Sequence, residues 1–320
     1  MTLRIGLVGA GSMGALHARV IATNLATDLA WVADPNPAAE AVAARFGAPW
    51  REVPDFDSVD AVVIATPTSS HVPLALSAIE AGVPLLVEKP LAETFDEATE
   101  MVMAAARANV VLMCGFVERF NPALRTLGDI VHDPIHVSAV RHSPYAERVH
   151  TGVMADLLIH DVDLVIRLFG ESPSGVMGSR GFFDSRSHPG REDVVEATMS
   201  FGGGQIATIS TSRLAQRKVR MFRAVELGRE IDVDLLRQSI TIYRHVNESL
   251  FDEDAGYRQQ TIIEIPVVRH VGEPLQLQLD HFVDLIRGEA DAALELASLL
   301  PPHEVMHRLA VSPPVVSAAS

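Results

Sequence analysis

One cysteine, two tryptophans and three tyrosines are all that this 320-residue chain has of those residue types. The single thiol, Cys114, excludes a disulfide within the chain and suits a reducing compartment. No run of about 18 uncharged apolar residues occurs, which excludes a membrane-spanning helix. The amino terminus enters its first predicted strand at Leu3 with no charged n-region or apolar h-segment before it, so a cytoplasmic location is expected. Positive charge is scarce: 26 Lys and Arg face 41 Asp and Glu, for a formal net charge of −15. No basic block could track a phosphate backbone, and nucleic acid is excluded as a partner. Asp156 and His160 could share an ion, but no convincing third ligand beyond Asp163 accompanies them, so no metal is expected.

The residues that are present, 48% hydrophobic and 21% charged without low-complexity tracts, suffice for two cores of roughly 100 to 200 residues each. The division expected is a first domain over 1–118, a second over 119–300, and a short helix with a tail over 301–320. In the first, short apolar runs alternate with helical patterns: strands at 3–8, 29–33, 61–65, 84–87 and 110–114, helices at 12–22, 37–46, 71–81 and 96–107. Such alternation predicts a doubly wound parallel sheet, an α/β Rossmann domain.

Between the first strand and first helix lies G9-A-G11-S-M-G14. A lone G-x-G-x-x-G is weak evidence and equally describes a tight turn. Here it follows a strand, opens a helix, and precedes Asp34 at the end of the second strand by about 20 residues. In that setting Gly9 permits the turn, Gly11 lets backbone approach a pyrophosphate, and Gly14 lets helix pack on strand. Asp34 would accept ribose hydroxyls and repel a 2′-phosphate, and P35-N-P37 brings no arginine, so NAD is favoured over NADP. The competing role for Asp34 is a cap for the next helix.

After about residue 118 the alternation stops. Strand patterns at 135–140, 175–183, 194–201, 205–211, 221–227, 239–243 and 261–267 predict an α+β domain with a largely antiparallel open sheet. Its second face needs a cover, which makes a homodimer or homotetramer the expected state. The helix over 154–169 is mostly apolar, yet Asp156, His160, Asp163 and Arg167 fall within about 60° of one another at 100° per residue, while Asp161 points elsewhere. That stripe could be a solvated face, a metal site lacking further ligands, or a face turned to a ligand cleft. In the preceding loop Arg141 and Arg148 could hold a diphosphate by forked hydrogen bonds, and Tyr145 could stack on a sugar or base. Arg119 and Asn121 are further substrate candidates, with helix capping as the rival role of Asn121.

Taken with T66-P-T-S-S-H71, V87-E-K-P-L91 and D156-L-L-I-H160-D161, the glycine motif and D34-P-N-P37 give a chain that resembles the glucose-fructose oxidoreductase, inositol dehydrogenase and rhizopine-catabolism (Gfo/Idh/MocA) family over about residues 3–290. C114-G-F-V-E-R-F-N-P122 and the helix around His160 resemble most the branch acting on nucleotide-linked amino sugars, the UDP-N-acetylglucosamine 3-dehydrogenases. The resemblance implies a cofactor site of Gly9, Gly11, Ser12, Met13, Gly14, Asp34, Thr66, Pro67, His71, Glu88 and Lys89. It also implies that Lys89, His160 and Asp156 carry the chemistry, here hydride transfer between a sugar secondary hydroxyl and NAD. His160 is the first candidate for the proton and Lys89 for the developing alkoxide, but which of the two is the base stays open. Other readings are a ketosugar reductase, a dehydrogenase of a free sugar or inositol, and a non-catalytic NAD-sensing regulator.

Overall fold

The structure is a computed structural model and describes residues 2–146, 151–248, 258–270 and 272–311. The chain divides into two compact units, Met1–Val117 with Glu273–His307, and Glu118–Gly272 with the chain from Arg308.

In the first unit, strands β1 (Leu3–Val8), β2 (Thr27–Ala33), β3 (Trp50–Arg51), β4 (Ala61–Ile64), β5 (Leu85–Val87) and β6 (Leu112–Cys114) form a six-stranded sheet in the order β3-β2-β1-β4-β5-β6. Every pairing is parallel. Helices α1 (Ser12–Thr23), α2 (Glu40–Arg45), α3 (His71–Glu80) and α4 (Phe95–Ala108) connect the strands. A strand covered on both faces must be apolar throughout, and β4, A-V-V-I, is fully buried at all four positions. Strand order reverses between β1 and β4, so the first crossover through α1 leads to one side and the connection into β4 to the other. Ligands of such sheets sit beyond the strand ends at that switch point.

The second unit contains an eight-stranded sheet made of β7 (His136–His142), β8 (Gly175–Gly181), β9 (Val194–Ser200), β10 (Ile206–Ser212), β11 (Val219–Glu226), β12 (Arg229–Asp234), β13 (Ser239–Glu248) and β14 (Arg258–Glu264). The order is β14-β13-β12-β11-β7-β10-β9-β8, antiparallel except for the central β10–β7 pair. Alternate residues are buried along β9 and β10, as expected of a sheet with one face on a core. Helices α5 (Pro122–Ile130) and α6 (Ile159–Phe169) pack against this sheet. The strand β12 was not foreseen; it pairs antiparallel with β11 across the turn at 227–228.

The linear division into domains needs one correction. Residues 273–300, expected in the second domain, form α7 (Pro274–Arg287), α8 (Ala292–Ala297) and the start of α9 (Leu300–Val311), and they join the first unit. The physical reason is polar docking onto α1. Arg19 forks onto Glu273, and Asn24 donates to Asp280 at 2.6 Å. The tail beyond residue 311 lies outside the described residues.

Candidate active site

The glycines act as their spacing predicts. Gly9 takes φ +94°, and a Cβ there would stand 2.7 Å from the Ala65 carbonyl oxygen. A Cβ on Gly14 would stand 2.0 Å from the Gly9 carbonyl oxygen, so only glycine lets α1 start this close to the turn. Gly11 is different: it caps α1 in ordinary extended geometry, φ −66°, and nothing lies within 4 Å of its Cβ position. No side chain caps α1 and no acidic residue sits in its first turn, so the positive end of the helix is uncompensated and open to an anion. Ser12 and Met13 occupy exposed positions there. Beyond β4, the Thr66 hydroxyl is buried with no hydrogen-bond partner, while Pro67 is exposed. An open glycine, a helix terminus without a side-chain cap and an orphaned hydroxyl at the switch point fit a dinucleotide.

Asp34 ends β2 and accepts from the Ala10 amide at 2.8 Å through Oδ2 and from the Asn36 amide at 2.9 Å through Oδ1. It ties the glycine loop to the second strand. The capping role falls instead to Asn36, whose Oδ1 accepts from the Ala38 amide at 3.0 Å. Each Asp34 oxygen keeps a second lone pair for a ribose hydroxyl.

The segment Glu88–Leu91 is held by three buried histidines from three helices. From α1, His17 Nε2 meets Glu88 Oε1 at 2.7 Å. On α3, His71 bridges two carbonyls, Nδ1 to Pro90 at 3.0 Å and Nε2 to Thr66 at 2.9 Å. From α9, His303 donates from Nδ1 to the Leu299 carbonyl at 2.7 Å, which leaves Nε2 to accept from the Leu91 amide at 3.0 Å. The Lys89–Pro90 peptide is cis, and Lys89 is half-buried. Burial by itself would raise the Glu88 carboxyl, but His17 and the Lys89 ammonium outweigh it and hold Glu88 below the ordinary carboxylate range. Burial also lowers the His71 imidazole, against the pull of its carbonyl partners. The backbone around Lys89 is therefore fixed on both sides.

In the second unit the helix of interest begins with a π turn, Met154–Leu158, and continues as α6. Asp156 stands in that turn, half-buried, with Oδ2 3.9 Å from Arg213 Nη2; His160, one turn on, is buried. Wider winding in the π turn shifts Asp156 relative to the positions after it, so the uniform 100° step does not apply across 154–160. Among the described residues no group of His, Cys, Asp and Glu could hold a metal ion.

Residues 3–116 match the GFO/IDH/MocA oxidoreductase family, NAD-binding Rossmann fold, and residues 124–229 match the GFO/IDH/MocA C-terminal domain. The chain belongs to the GFO/IDH/MocA family. It is 33% identical over 301 residues to the UDP-N-acetylglucosamine 3-dehydrogenase of Acidithiobacillus ferrooxidans, covering 91% of this chain and 86% of that one. Inositol 2-dehydrogenase 2 of Paenarthrobacter aurescens is 34% identical over 233 residues, 68% of this chain and 70% of the relative. A solved structure of the Acidithiobacillus ferrooxidans enzyme superposes with TM-score 0.84 at 27% identity, covering 98% of both chains. The protein is an NAD-dependent dehydrogenase. No helix among the described residues is long and apolar enough to cross a membrane.

Within this GFO/IDH/MocA chain three substrate candidates, Arg141, Arg119 and Asn121, need revision. Arg141 is fully buried, forks onto Asp161 through Nε at 2.8 Å and Nη2 at 2.7 Å, and donates from Nη1 to Glu118 at 2.7 Å. Its fork is filled by protein, so it does not hold a diphosphate. Burial would lower its pKa, but the two carboxylates reverse that and keep it charged; the same contact holds Glu118 below its ordinary range. Arg119 likewise forks onto Asp163, at 2.9 and 2.6 Å, which takes Asp163 out of the polar stripe. Asn121 caps α5 by accepting from the Ala123 amide at 3.1 Å. The cofactor candidate His71 is engaged by backbone on both nitrogens and tethers the Lys89 segment. Arg167 is exposed at the far end of α6. Tyr145 retains its candidacy, with its hydroxyl donating to the Arg186 carbonyl at 2.8 Å. Arg148 lies outside the described residues. Residues missed from the sequence are His17, His303, Glu118 and Arg213. His17 did leave a signal: it shares the apolar face of α1 with Gly14, Ala18 and Ile21, where a histidine is unexpected.

Proposed function

We propose that this dehydrogenase oxidises a secondary hydroxyl of a nucleotide-linked amino sugar. The supporting observation is the similarity to the Acidithiobacillus ferrooxidans UDP-N-acetylglucosamine 3-dehydrogenase, which extends through both units at 91% coverage of the chain. Bound NAD supplies a hydride acceptor at nicotinamide C4. The chain's part is position and proton transfer. Gly9, Gly11 and Gly14 with the start of α1 hold the pyrophosphate, and Asp34 holds the adenosine ribose. His160 accepts the hydroxyl proton, Lys89 stabilises the developing alkoxide, and Asp156 orients the sugar. The fixed backbone at Glu88–Leu91 supports this role, because a charge-stabilising ammonium must not wander as the alkoxide forms. We further propose that the chain assembles as a homodimer or homotetramer through the eight-stranded sheet, whose strands expose Met177, Ile206 and Ile263. Light scattering of the purified protein checks the assembly.

The test of function follows reduced-nicotinamide absorbance with NAD and a panel of UDP-amino sugars, free hexoses and inositols, comparing wild type with Lys89→Ala and His160→Ala. Turnover of UDP-amino sugars with kcat reduced about 100-fold or more in each variant is expected. Equal turnover by all three proteins refutes the residue roles. Turnover restricted to inositols refutes the substrate, and NAD binding without turnover of any compound supports a sensor.

A further inference from the structure

The second unit contains a cavity that the assigned roles leave unused. It lies beyond the carboxyl ends of β7 and β10, the one parallel pair in its sheet, where His142 and Ser212 are in register. The segments leaving those two strands are tied together, Ser143 N–H to the Ser212 carbonyl at 2.8 Å and Ala215 N–H to the Ser143 carbonyl at 3.2 Å. Between them opens a space of about 260 Å³ lined by Tyr145, Arg186, Arg213, Leu214 and Gln216 among others. Ligand pockets for whole drug-sized molecules run from about 300 to 1,000 Å³. This one suits a small group.

Its charge says which group. The Arg213 side chain is 5% exposed, yet its Nη2 has no hydrogen-bond partner, and the nearest carboxylate oxygen, on Asp156, is 3.9 Å away. A buried guanidinium N–H without a partner forgoes a strong interaction, one that a phosphate oxygen supplies in full. The opposite wall is preorganised: Arg186 stacks 4.2 Å over the Tyr145 ring and forks onto Asp184, while the Tyr145 hydroxyl donates to the Arg186 carbonyl. The chain around Arg213 is also basic against the trend of the molecule. Residues 213–223, R-L-A-Q-R-K-V-R-M-F-R, contain five cations and no acid in a protein of net charge −15. Long-range attraction and local pairing thus favour the same kind of ligand.

We infer that this cavity seats the diphosphate of a nucleotide-linked substrate, with Arg213 as its principal hydrogen-bond donor and the Arg186–Tyr145 pair as its wall. The inference rests on the nucleotide-sugar reading above and adds the residues that would recognise the nucleotide half. It also gives Asp156 a second task, since its carboxylate adjoins both Arg213 and the turn leading to His160.

The experiment measures UDP binding to the NAD-loaded protein by calorimetry, with inorganic pyrophosphate as competitor, for wild type, Arg213→Met and Arg186→Glu. The expected result is competition by pyrophosphate, a rise in the UDP Kd of about tenfold to a hundredfold in Arg213→Met, and of about two- to fivefold in Arg186→Glu. For the sugar nucleotide itself, Arg213→Met should raise KM more than it lowers kcat. Arg186 is exposed, so its variant keeps the test valid if Arg213→Met does not fold. An unchanged UDP Kd in the folded variants, or no competition by pyrophosphate, overturns the inference. If wild type oxidises UDP-N-acetylglucosamine while both variants bind UDP normally, the subsite falls and the substrate reading stands. If the variants lose UDP affinity but no UDP-sugar is oxidised, the anion site stands and the substrate reading falls.

Discussion

Gly11→Ala and Gly14→Ala place the same methyl group three residues apart, and the structure predicts opposite failures. At Gly14 the new Cβ would stand 2.0 Å from the Gly9 carbonyl oxygen and 2.8 Å from its carbon, both backbone atoms that cannot rotate away. Ordinary contact is about 3.4 Å or more, so α1 must move by more than an ångström relative to β1. Overpacking of this kind costs about 1–3 kcal/mol, more than the roughly 0.5–1 kcal/mol that alanine gains over glycine inside a helix. At about 2–4 °C per kcal/mol for a unit this size, the melting temperature without NAD should fall by up to about 10 °C. At Gly11 no atom lies within 4 Å and φ is −66°, a conformation alanine adopts readily. Folding should be untouched.

The methyl at Gly11 instead fills the space through which the pyrophosphate reaches the start of α1. Losing one charge-assisted backbone hydrogen bond is worth about 1.5–3 kcal/mol, or roughly tenfold to a hundredfold in NAD affinity. Differential scanning fluorimetry with and without NAD reads both effects in one titration. Gly11→Ala should match wild type without NAD and lose most of the NAD-induced shift, whereas Gly14→Ala should start lower. If Gly11→Ala binds NAD with unchanged Kd, the cofactor does not approach along this loop and the site assignment is wrong.

Other predictions address the Lys89 segment, the cofactor preference and the second core. Glu88 titrates below its ordinary 4.5, so its contribution to stability is present above pH 4.5 and is lost as pH falls through the folded value. In His17→Leu burial dominates, the folded value rises above 4.5, and stability is lost as pH rises; the melting-temperature gap from wild type should widen between about pH 4 and 7. A gap independent of pH would show that Glu88 does not depend on His17. Replacing His303 with Leu leaves the buried Leu91 amide without its acceptor, at a cost of about 1–3 kcal/mol in chemical denaturation, with kcat reduced because the Lys89 backbone loosens. Asp34→Ala should improve NADP affinity relative to NAD about tenfold or more, read as a ratio of Kd values; an unchanged ratio would leave Asp34 only its contacts with the Ala10 and Asn36 amides. Asp161→Ala strands the buried Arg141 fork and should destabilise the protein by about 3–5 kcal/mol in urea unfolding.

How far these features could be read from the sequence depended on how local they are. The first sheet was legible because a glycine turn, a β-strand and the next helix are contiguous, and each demands its own residue types within a few positions. Asp34 was legible at a distance of one βαβ unit. The docking of α7 and α9 onto the first unit was not, because Glu273 and His303 lie about two hundred residues from their partners and no short pattern links them.

The arginines teach the sharper lesson. Arg141 sits at an inward position of β7 behind Val137 and Ala139, so simple two-residue alternation already assigned it to the core face, where a lone charge must find a carboxylate. Two candidates for that carboxylate stood in plain view: Glu118, in the stretch C114–P122, and Asp161, the residue set aside because it left the polar stripe of the helix. An arginine in a loop before a helix looks like a ligand hook only until its strand register is counted. The same test applied to Arg213 gives the opposite outcome. It follows the end of β10, its side chain is just as buried, and no fork of carboxylate oxygens reaches it, so the charge that makes Arg141 structural makes Arg213 available to an anion. Burial alone therefore does not separate a structural arginine from a binding one; the presence of a hydrogen-bonded counter-charge does.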